Sequence, residues 1–478
     1  MTDSRLSALL FAAALLVRAI AGTGMALFGT DGGHYLLMAD WFAAGRFHDA
    51  LQIAYHPLYP LLIAVARIPL GDTILAGHAV SIFLGAAAVV PLYRLVRSVF
   101  GAPEAFVTAL FYAFNPALVG AQSDVLTEGA FLFFFLLSIE RTWAAAESPS
   151  LERGATLGLC AAAAYLTRPE GILAVVVALA WPILELARRR DRIAIRAGAL
   201  LLTVAVVVMA AAPYLMWIRS VKGDWSLSMR PSVSSVTRAA ALLVEGGEGA
   251  DSNIYLRFLK GVYRLTYLVT IPFFLLGLAR VRHAGLRPAL FYFGVPAAYF
   301  AALLFTLRGH SFMSERYVMA PMAMMLALPA LGVVATFREA ARRWPGASWR
   351  PAACGALLLA VAVLPGARWF GPSRLDTRSY RDAAAWIRAQ PAPPRGVYGP
   401  PQQVAYLAGC PSRYSASTPE ELRRQIAAEP VDYYVYTEKD VAKRPEYVSM
   451  LRSCDLLLAP VEITGPPGTV RLYIHRVK

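Results

Sequence analysis

The sequence "LSALLFAAALLVRAIAGTGMALFGTDGGHYLLMADWFAAGRF", residues 6–47, joins a long apolar run to an acid, two glycines and a histidine, and then to aromatic residues at helical spacing. A helix needs roughly 20 mostly apolar residues to cross a bilayer. Residues 6–28 meet that length and predict a first transmembrane helix that stays in the protein, because no small-residue cleavage site precedes Asp31. The apolar spacing of 34–45 predicts a helix lying in the membrane interface.

The composition extends this interpretation to most of the chain. Of 478 residues, 57% are hydrophobic and 16% are charged, and the mean hydropathy is +0.50. Soluble proteins carry about a quarter charged residues. Long apolar runs recur as far as Phe370, and the sequence beyond Pro372 is polar and rich in proline. We therefore predict a polytopic all-α membrane domain over 1–371 and a small soluble α/β domain over 372–478.

The apolar runs predict about 11 transmembrane helices, with two interfacial helices in the first outer segment. The predicted spans are 6–28, 73–98, 103–121, 125–146, 154–168, 170–187, 195–218, 262–280, 287–307, 315–337 and 351–370. The predicted interfacial helices are 34–45 and the proline-punctuated 56–71. No internal repeat occurs.

Arginine in the short loops sets the predicted orientation. "LARRRDRIAIR" (186–196) and "FREAARRWPGASWR" (337–350) fall on one face of the bundle. Cytoplasmic loops carry an excess of Lys and Arg, so the N-terminus is predicted to be cytoplasmic, in the plasma (inner) membrane, with the C-terminal domain outside. The 219–264 loop is basic although it is predicted to lie outside. Long loops contribute little to the positive-inside rule, so the assignment is kept. Contact with anionic lipid accounts for the net charge of +15 better than nucleic acid does.

The C-terminal part alternates helix and strand patterns. "SYRDAAAWIRAQ" (379–390) has helical periodicity, and "RGVYG", "VDYYVYT" and "TVRLYIHRV" are typical of strands. Thr418 with Glu421 predicts a helix start. Whether Cys410 and Cys454 form a disulfide is left undecided at this point, because disulfides form only in an oxidising compartment. Nothing in this part assembles a catalytic set.

Ionisable residues concentrate at the predicted outer ends of the helices. Such residues are costly near a membrane and are therefore candidates for function. A carboxylate can act as general base towards an acceptor hydroxyl, and arginines can neutralise a departing phosphate. The same set also suits proton-coupled transport. The candidates are Asp31 as catalytic residue and, as substrate-binding residues, His34, Tyr35, His56, Asp124, Glu128, Arg168, Glu170, His310, Arg316 and Tyr317.

Each candidate also has a purely structural interpretation. Asp31 could cap the interfacial helix, and Arg168 could pair with Glu170 across a tight turn. Asp124 could cap the fourth span. His34 fits an interfacial position, and His56 could merely precede a helix start rich in proline.

Five motifs, in order along the chain, resemble a known family. They are "TDGGHYLLMADWFAAGRF" (30–47), "HPLYPLLIAV" (56–65), "PLYRLVRSVFG" (91–101), "YLTRPEG" (165–171) and "ERYVMAP" (315–321). Together they resemble the membrane glycosyltransferases of the GT-C fold. The likeness is to the family 39 branch, near protein O-mannosyltransferases and the lipid A aminoarabinose transferase, and it covers roughly residues 5–340.

The resemblance implies a polyprenyl-phosphate sugar donor and transfer with inversion at the outer face. It implies that Asp31 is the catalytic base, that His56 lines the donor site and that Arg316 holds the donor phosphate. Several relatives carry a second acid directly after the first, whereas Gly32 follows Asp31 here. Either Asp31 works alone, or another carboxylate such as Asp124 or Glu128 completes the site.

The expected partners are the polyprenyl-linked donor, a lipid, glycan or protein acceptor, and membrane lipids, without nucleic acid. No cofactor is required, and a divalent ion shared by Asp31 with another acid stays open. The alternative function is a transporter or flippase for a polyprenyl-linked or other anionic substrate. A transporter would place its charged residues near mid-membrane, within reach of both faces. Their clustering at one end favours the enzyme over the transporter, and a scaffold would leave Asp31 unexplained.

Overall fold

The structure is a computed structural model, and it describes most of the chain. The described residues are 3–24, 27–189, 191–229, 254–266, 270–281, 285–307, 314–360, 379–399, 402–410, 412–413, 423–424, 427, 432–443, 445–464 and 470–477.

In the part of the chain before residue 361, the described regular elements are all helices. Its α-helices are α1 (Asp3–Thr23), α2 (Thr30–Ala43), α3 (Phe47–Gln52), α4 (Leu58–Leu70), α5 (Thr73–Ala87), α6 (Val89–Phe100), α7 (Ala102–Phe114), α8 (Pro116–Gln122), α9 (Glu128–Glu147), α10 (Leu151–Thr167), α11 (Ile172–Arg188), α12 (Ile193–Lys222), α13 (Ile254–Thr266), α14 (Ile271–Arg280), α15 (Leu286–Leu307), α16 (Met319–Met325), α17 (Ala327–Arg343) and α18 (Arg350–Leu358). Short 3₁₀ helices cover Pro169–Gly171 and Glu315–Val318.

The predicted multi-pass helical fold is confirmed. Among the described residues, 7 helices are long and apolar enough to cross a membrane, or up to 8 if one bent pair forms a single span, against the predicted 11 or so. That pair is α7 and α8, which meet at an angle of 56°. The bend follows from the sequence, because the Asn115 side chain caps α8 and Pro116 occupies its first turn, so neither helix continues through this point.

Three predicted spans account for the difference in number. Residues 154–168 form α10, which at 17 residues is shorter than the other spans. The predicted span 262–280 is divided between α13 and α14. Of the predicted span 351–370, residues 361–370 lie outside the described residues.

The segment after α1, which was predicted to lie outside the membrane, contains three helices where two were predicted. The apolar run that opens the chain ends as a helix at Thr23, and α2 then begins at Thr30, four residues before the predicted start. Asp31 therefore lies in the first turn of α2 and not in a loop before it. The short α3 lies between α2 and α4. Helix α4 contains the apolar residues that follow His56 and Pro57 in the "HPLYPLLIAV" motif.

Glycines let several of these helices approach backbone to backbone. A Cβ at Gly154 would lie 2.3 Å from the Ala199 carbonyl oxygen, and one at Gly158 would lie 2.8 Å from the Thr203 carbonyl oxygen. Small residues four apart are typical of close helix pairs in membranes. The pair α14 and α17 is equally close, since a Cβ at Gly332 would lie 2.0 Å from the Phe273 carbonyl oxygen.

The arginine-rich helix ends are tied together by ion pairs. Arg97 at the end of α6 pairs with Asp3 at the start of α1, and Arg338 of α17 bonds the buried Glu104 at 2.8 Å. Arg287 bonds Glu185 at 2.9 Å and also reaches Glu147. These contacts gather the basic ends of the helices at one end of the bundle, as the arginine pattern predicted.

The C-terminal part folds as α/β, in agreement with the prediction. Its elements are α19 (Ser379–Arg388), β1 (Val397–Tyr398), α20 (Gln402–Ala408), β2 (Ser412–Arg413), β3 (Tyr433–Thr437), α21 (Glu438–Lys443), α22 (Pro445–Ser453), β4 (Val461–Ile463) and β5 (Leu472–Arg476). The sheet order is β2-β1-β3-β5-β4, with β1 parallel to β2 and β3, and β5 antiparallel to β3 and β4. Cys410 and Cys454 are both free thiols. The predicted helix start at Thr418 and Glu421 lies outside the described residues.

The contact between α14 and α17 gives a direct test of the fold. Gly332→Ala should lower the free energy of unfolding by about 1–3 kcal/mol, because the added methyl group must push the two backbones apart. Gly294→Ala is the matched control, since no atom lies within 4 Å of a Cβ at that position in α15. Gly294→Ala should be neutral or should raise the free energy of unfolding by up to about 1 kcal/mol, because alanine favours a helix more than glycine does.

Thermal unfolding of the purified protein in detergent, followed by tryptophan fluorescence, measures both variants. Equal melting temperatures for the two alanine variants would contradict the close packing of α14 on α17.

Candidate active site

Helix α2 is held at its N-terminal end by a buried carboxylate. The Gly29 amide donates a hydrogen bond to Asp124 Oδ1 at 2.9 Å, and Asp124 is 1% exposed. A Cβ at Gly32 would lie 3.0 Å from the Val125 carbonyl oxygen, so the first turn of α2 rests on the 124–125 backbone. Gly32 therefore serves close packing within the protein, and Asp124 fixes the segment that carries Asp31.

Five charged side chains from four segments form one continuous cluster at this point. Arg316, from the 3₁₀ turn before α16, pairs with Asp31 of α2 and lies 3.3 Å from Glu128 at the start of α9. Arg168, between α10 and α11, bonds the same Glu128 oxygen at 2.8 Å. Arg168 also contacts Glu170 at 3.2 Å. We call these five residues the ion-pair cluster.

Burial divides the ion-pair cluster into a closed end and an open end. The Glu128 side chain is 2% exposed and that of Arg168 is 12% exposed. Asp31 and Arg316 expose 30% and 31% of their side chains. Glu128 therefore anchors both guanidinium groups inside the protein, whereas Asp31 and Arg316 can be reached by a ligand.

The environment of Asp31 keeps it ionised. Burial raises the pKa of Asp31, but the Arg316 charge and the hydrogen bonds from Arg316 and Tyr55 outweigh burial and leave the pKa below its ordinary value. The Tyr55 hydroxyl donates to Asp31 Oδ1 at 3.2 Å. Burial lowers the pKa of the neighbouring His34. Asp31 is thus a carboxylate at neutral pH beside a neutral imidazole.

Aromatic rings surround the open end of the ion-pair cluster. The Tyr55 ring contacts His34 and Tyr35, with centroid separations of 5.5 Å and 4.8 Å. The Arg168 guanidinium lies 5.5 Å from the centre of the Tyr317 ring, at a distance typical of cation–π contacts. These rings limit how Asp31 and Arg168 can move.

The structure brings together most of the predicted site residues. The ion-pair cluster contains Asp31, Glu128, Arg168, Glu170 and Arg316, and its border contains His34, Tyr35 and Tyr317. The pairing of Arg168 with Glu170 across a tight turn is also present.

Three predicted site residues have other surroundings or lie outside the described residues. His56 is 3% exposed, its Nδ1 lies 2.7 Å from the Tyr165 carbonyl oxygen, and its ring packs against Tyr165 and Tyr214. Asp124 bonds the backbone, as described above. His310 lies outside the described residues. The roles of these three in donor binding stay predictions.

The sequence interpretation missed two residues of the site. Tyr55 bonds Asp31, and the Thr127 hydroxyl accepts a hydrogen bond from Arg168 at 3.1 Å. Both lie directly beside a predicted site residue, Tyr55 before His56 and Thr127 before Glu128. Their position next to a motif was the available signal.

The described residues contain no group of three or more His, Cys, Asp or Glu side chains that could hold a metal ion. Arg316 stands between Asp31 and Glu128, where it bridges the two carboxylates. A phosphate can compete with the Asp31 and Glu128 carboxylates for the Arg316 guanidinium. The chemistry that this arrangement offers is therefore recognition of a phosphate beside a general base.

The sequence matches one family over part of its length. Residues 55–217 match the family described as dolichyl-phosphate-mannose-protein mannosyltransferase. This segment contains Tyr55, Thr127, Glu128, Arg168 and Glu170. A search among curated proteins gives no match.

The fold matches several solved membrane enzymes over nearly the whole chain. ArnT from Cupriavidus metallidurans, bound to undecaprenyl phosphate, has a TM-score of 0.65 at 15% identity, covering 99% of this chain and 98% of that one. The apo oligosaccharyltransferase of Archaeoglobus fulgidus has a TM-score of 0.60 at 13% identity, covering 97% and 74%. The archaeal oligosaccharyltransferase AglB from the same organism, with an inhibitory peptide and a dolichol-phosphate, has a TM-score of 0.52 at 14% identity, covering 96% and 74%.

These comparisons confirm the resemblance that the five motifs indicated. The chain has the fold of the GT-C membrane glycosyltransferases, and its residues 55–217 match the dolichyl-phosphate-mannose-protein mannosyltransferase family.

Proposed function

We propose that this protein transfers a sugar from a polyprenyl-phosphate donor to an acceptor hydroxyl at the outer face of the plasma membrane. The observation that carries the proposal is the ion-pair cluster, in which an accessible carboxylate, Asp31, sits against an accessible guanidinium, Arg316. The matched structures add support, since one holds undecaprenyl phosphate and another a dolichol-phosphate. The outer face is supported by the arginine-rich helix ends, which gather at one end of the bundle.

In the proposed reaction, the acceptor oxygen attacks the anomeric carbon from the side opposite the phosphate. The new C–O bond forms as the bond between the anomeric carbon and the phosphate oxygen breaks, which inverts the anomeric configuration. The acceptor proton passes to the Asp31 carboxylate. The electron pair of the broken bond leaves with the polyprenyl phosphate, whose charge Arg316 and Arg168 offset by hydrogen bonds.

Donor binding and activation of the base are coupled in this proposal. Arg316 is already paired with Asp31, and that pair keeps the pKa of Asp31 low and its basicity weak. A donor phosphate competes with Asp31 for the same guanidinium. When Arg316 turns to the phosphate, Asp31 loses its strongest partner, its pKa rises, and it becomes a better base next to the bound donor.

Asp31→Asn tests the role of the base. The variant should fold but lose about 10²–10⁴-fold in turnover, because an amide cannot accept the acceptor proton. Asp49→Asn is the matched control, since Asp49 lies in the same outer segment in an exposed pair with Arg46 and should keep full activity.

The measurement is mass spectrometry of envelope lipids and glycans in a deletion strain carrying wild type or either variant. With Asp31→Asn, one sugar should be missing from the envelope and its polyprenyl-phosphate form should accumulate. Full restoration by a well-expressed Asp31→Asn protein would exclude Asp31 as the base.

Arg316→Gln tests the coupling between the phosphate-binding group and the base. Loss of the guanidinium should lower kcat/KM by about 10²–10³-fold, because the variant lacks the hydrogen bonds that stabilise the negative charge on the departing phosphate. It should also move the acid limb of the pH profile upward. A base works only when ionised, so activity falls as the pH drops through its pKa, and burial then raises the pKa of Asp31 unopposed by Arg316.

The profile of kcat/KM against pH reports the free enzyme and is the curve to measure. In wild type, the acid limb should lie below the ordinary Asp value of about 3.9. Arg46→Gln, which breaks the exposed pair with Asp49, should leave the profile unchanged. An Arg316→Gln profile that overlays wild type would show that Arg316 does not set the basicity of Asp31.

A further inference from the structure

Among the described residues of the C-terminal part, the short helix α20 bonds directly to α2. At the far end of α2 from Asp31, the Tyr406 hydroxyl donates a hydrogen bond to Asp40 Oδ2 at 3.0 Å. Asp40 Oδ1 also accepts from Arg67 of α4 at 2.9 Å and from Thr73 at the start of α5 at 2.7 Å. One carboxylate of α2 therefore receives bonds from three other helices, one of which belongs to the C-terminal part.

The same helix α20 also contacts the segment that leads into Asp31. The Tyr406 ring meets the fully buried Phe28 ring edge to face, with centroids 5.5 Å apart. The Gln403 side chain donates to the Phe28 carbonyl oxygen at 3.3 Å. Phe28 in turn supports Gly32, where a Cβ would lie 3.1 Å from the Phe28 Cβ. Tyr406 therefore contacts Phe28, and Phe28 contacts Gly32, the residue that follows Asp31.

A cavity separates these contacts. It has a volume of about 650 Å³, lies between α2, the start of α5 and α20, and is bordered by His34, Trp41, Asp72 and Leu407. Beside the cavity, Tyr406 and Leu407 of α20 pack against the apolar cluster that includes Phe28 and Tyr35. Because Tyr406 both bonds Asp40 and contacts Phe28, loss of its hydrogen bond should affect both ends of α2.

We propose that Tyr406 and Asp40 are positioning residues, through which the C-terminal part holds α2 at both ends and fixes the place of Asp31. This inference rests on the proposed role of Asp31 as the base. The two carboxylates of α2 are nine residues apart, about 13 Å along a helix that rises about 1.5 Å per residue. A rigid helix transmits a tilt at one end to the other. Displacement of a catalytic group by about 1 Å can cost about 10²-fold in rate.

Amide hydrogen exchange tests the mechanical part without any assay of activity. Tyr406→Phe keeps the ring contact with Phe28 and removes the bond to Asp40. Exchange should become faster in peptides covering 40–43 and also in those covering 29–35, at the other end of α2. The matched control is Asp432→Asn, which breaks the exposed 2.7 Å pair with Arg395 inside the C-terminal part and should leave 29–35 unchanged. Unchanged exchange at 29–35 in Tyr406→Phe would overturn the proposal.

Kinetics with the purified full-length protein test the functional part. Tyr406→Phe and Asp40→Asn should each lower kcat by about 5–10-fold, the range for loss of one hydrogen bond, with donor KM within about 2-fold of wild type. Asp40→Asn also removes the ion pair with Arg67, so the double variant should be no worse than Asp40→Asn alone, in which Tyr406 has already lost its carboxylate partner. Additive losses, or a change confined to donor KM, would contradict a positioning role.

The two proposals fail in different ways. If Asp31→Asn retains full turnover, the proposed base is wrong, whatever the exchange data show. If Asp31→Asn is inactive but Tyr406→Phe matches wild type in kcat and in exchange at 29–35, the base stands and the positioning proposal falls.

Discussion

A single buried carboxylate, Glu128, is the constraint on which the site depends. Its side chain is 2% exposed, and two guanidinium groups, those of Arg168 and Arg316, lie within hydrogen-bonding or ion-pairing distance of the same oxygen. An unpaired charge in such a position would be strongly destabilising, so the protein must keep at least one arginine against Glu128 in every state. The more buried Arg168, which is also held by Glu170, suits that structural role. Arg316 is thereby left able to exchange its other partner, Asp31, for a ligand.

Much of this arrangement could be predicted from the sequence, because membrane topology restricts position more tightly than a soluble fold does. Asp31 and Arg316 are 285 residues apart in the chain. Asp31 follows an apolar run that begins after Arg5, and Arg316 lies at the start of a run that ends in the arginine-rich segment 337–350. Counting runs and locating arginines was enough to place them at the same end of the bundle. The same argument placed Glu128 and Arg168 there.

Other features depend on packing that no local pattern encodes. Asp124 was a candidate for a second carboxylate beside Asp31, but in the fold it accepts a hydrogen bond from the Gly29 amide. The glycine that follows Asp31 has a packing role that the sequence does not show, since a Cβ at Gly32 would lie 3.0 Å from the Val125 carbonyl oxygen. Hydropathy also does not show where a helix is interrupted, and the break between α7 and α8 at Asn115 depends on a capping bond. The docking of α20 onto α2 had no sequence signal, since Gln403 and Tyr406 belong to no motif.

The pair between Asp31 and Arg316 also has a consequence for the end of the reaction cycle. The ion-pair cluster holds three carboxylates and two guanidinium groups, and in the proposed step Asp31 gains a proton as the phosphate gains a charge. The product complex therefore carries a neutral Asp31 beside a dianionic lipid phosphate. Once Asp31 returns its proton to water, its carboxylate again competes with the phosphate for Arg316. Re-formation of the ion pair between Asp31 and Arg316 then favours release of the polyprenyl phosphate. The same ion pair that weakens Asp31 as a base before donor binding therefore speeds product release after transfer.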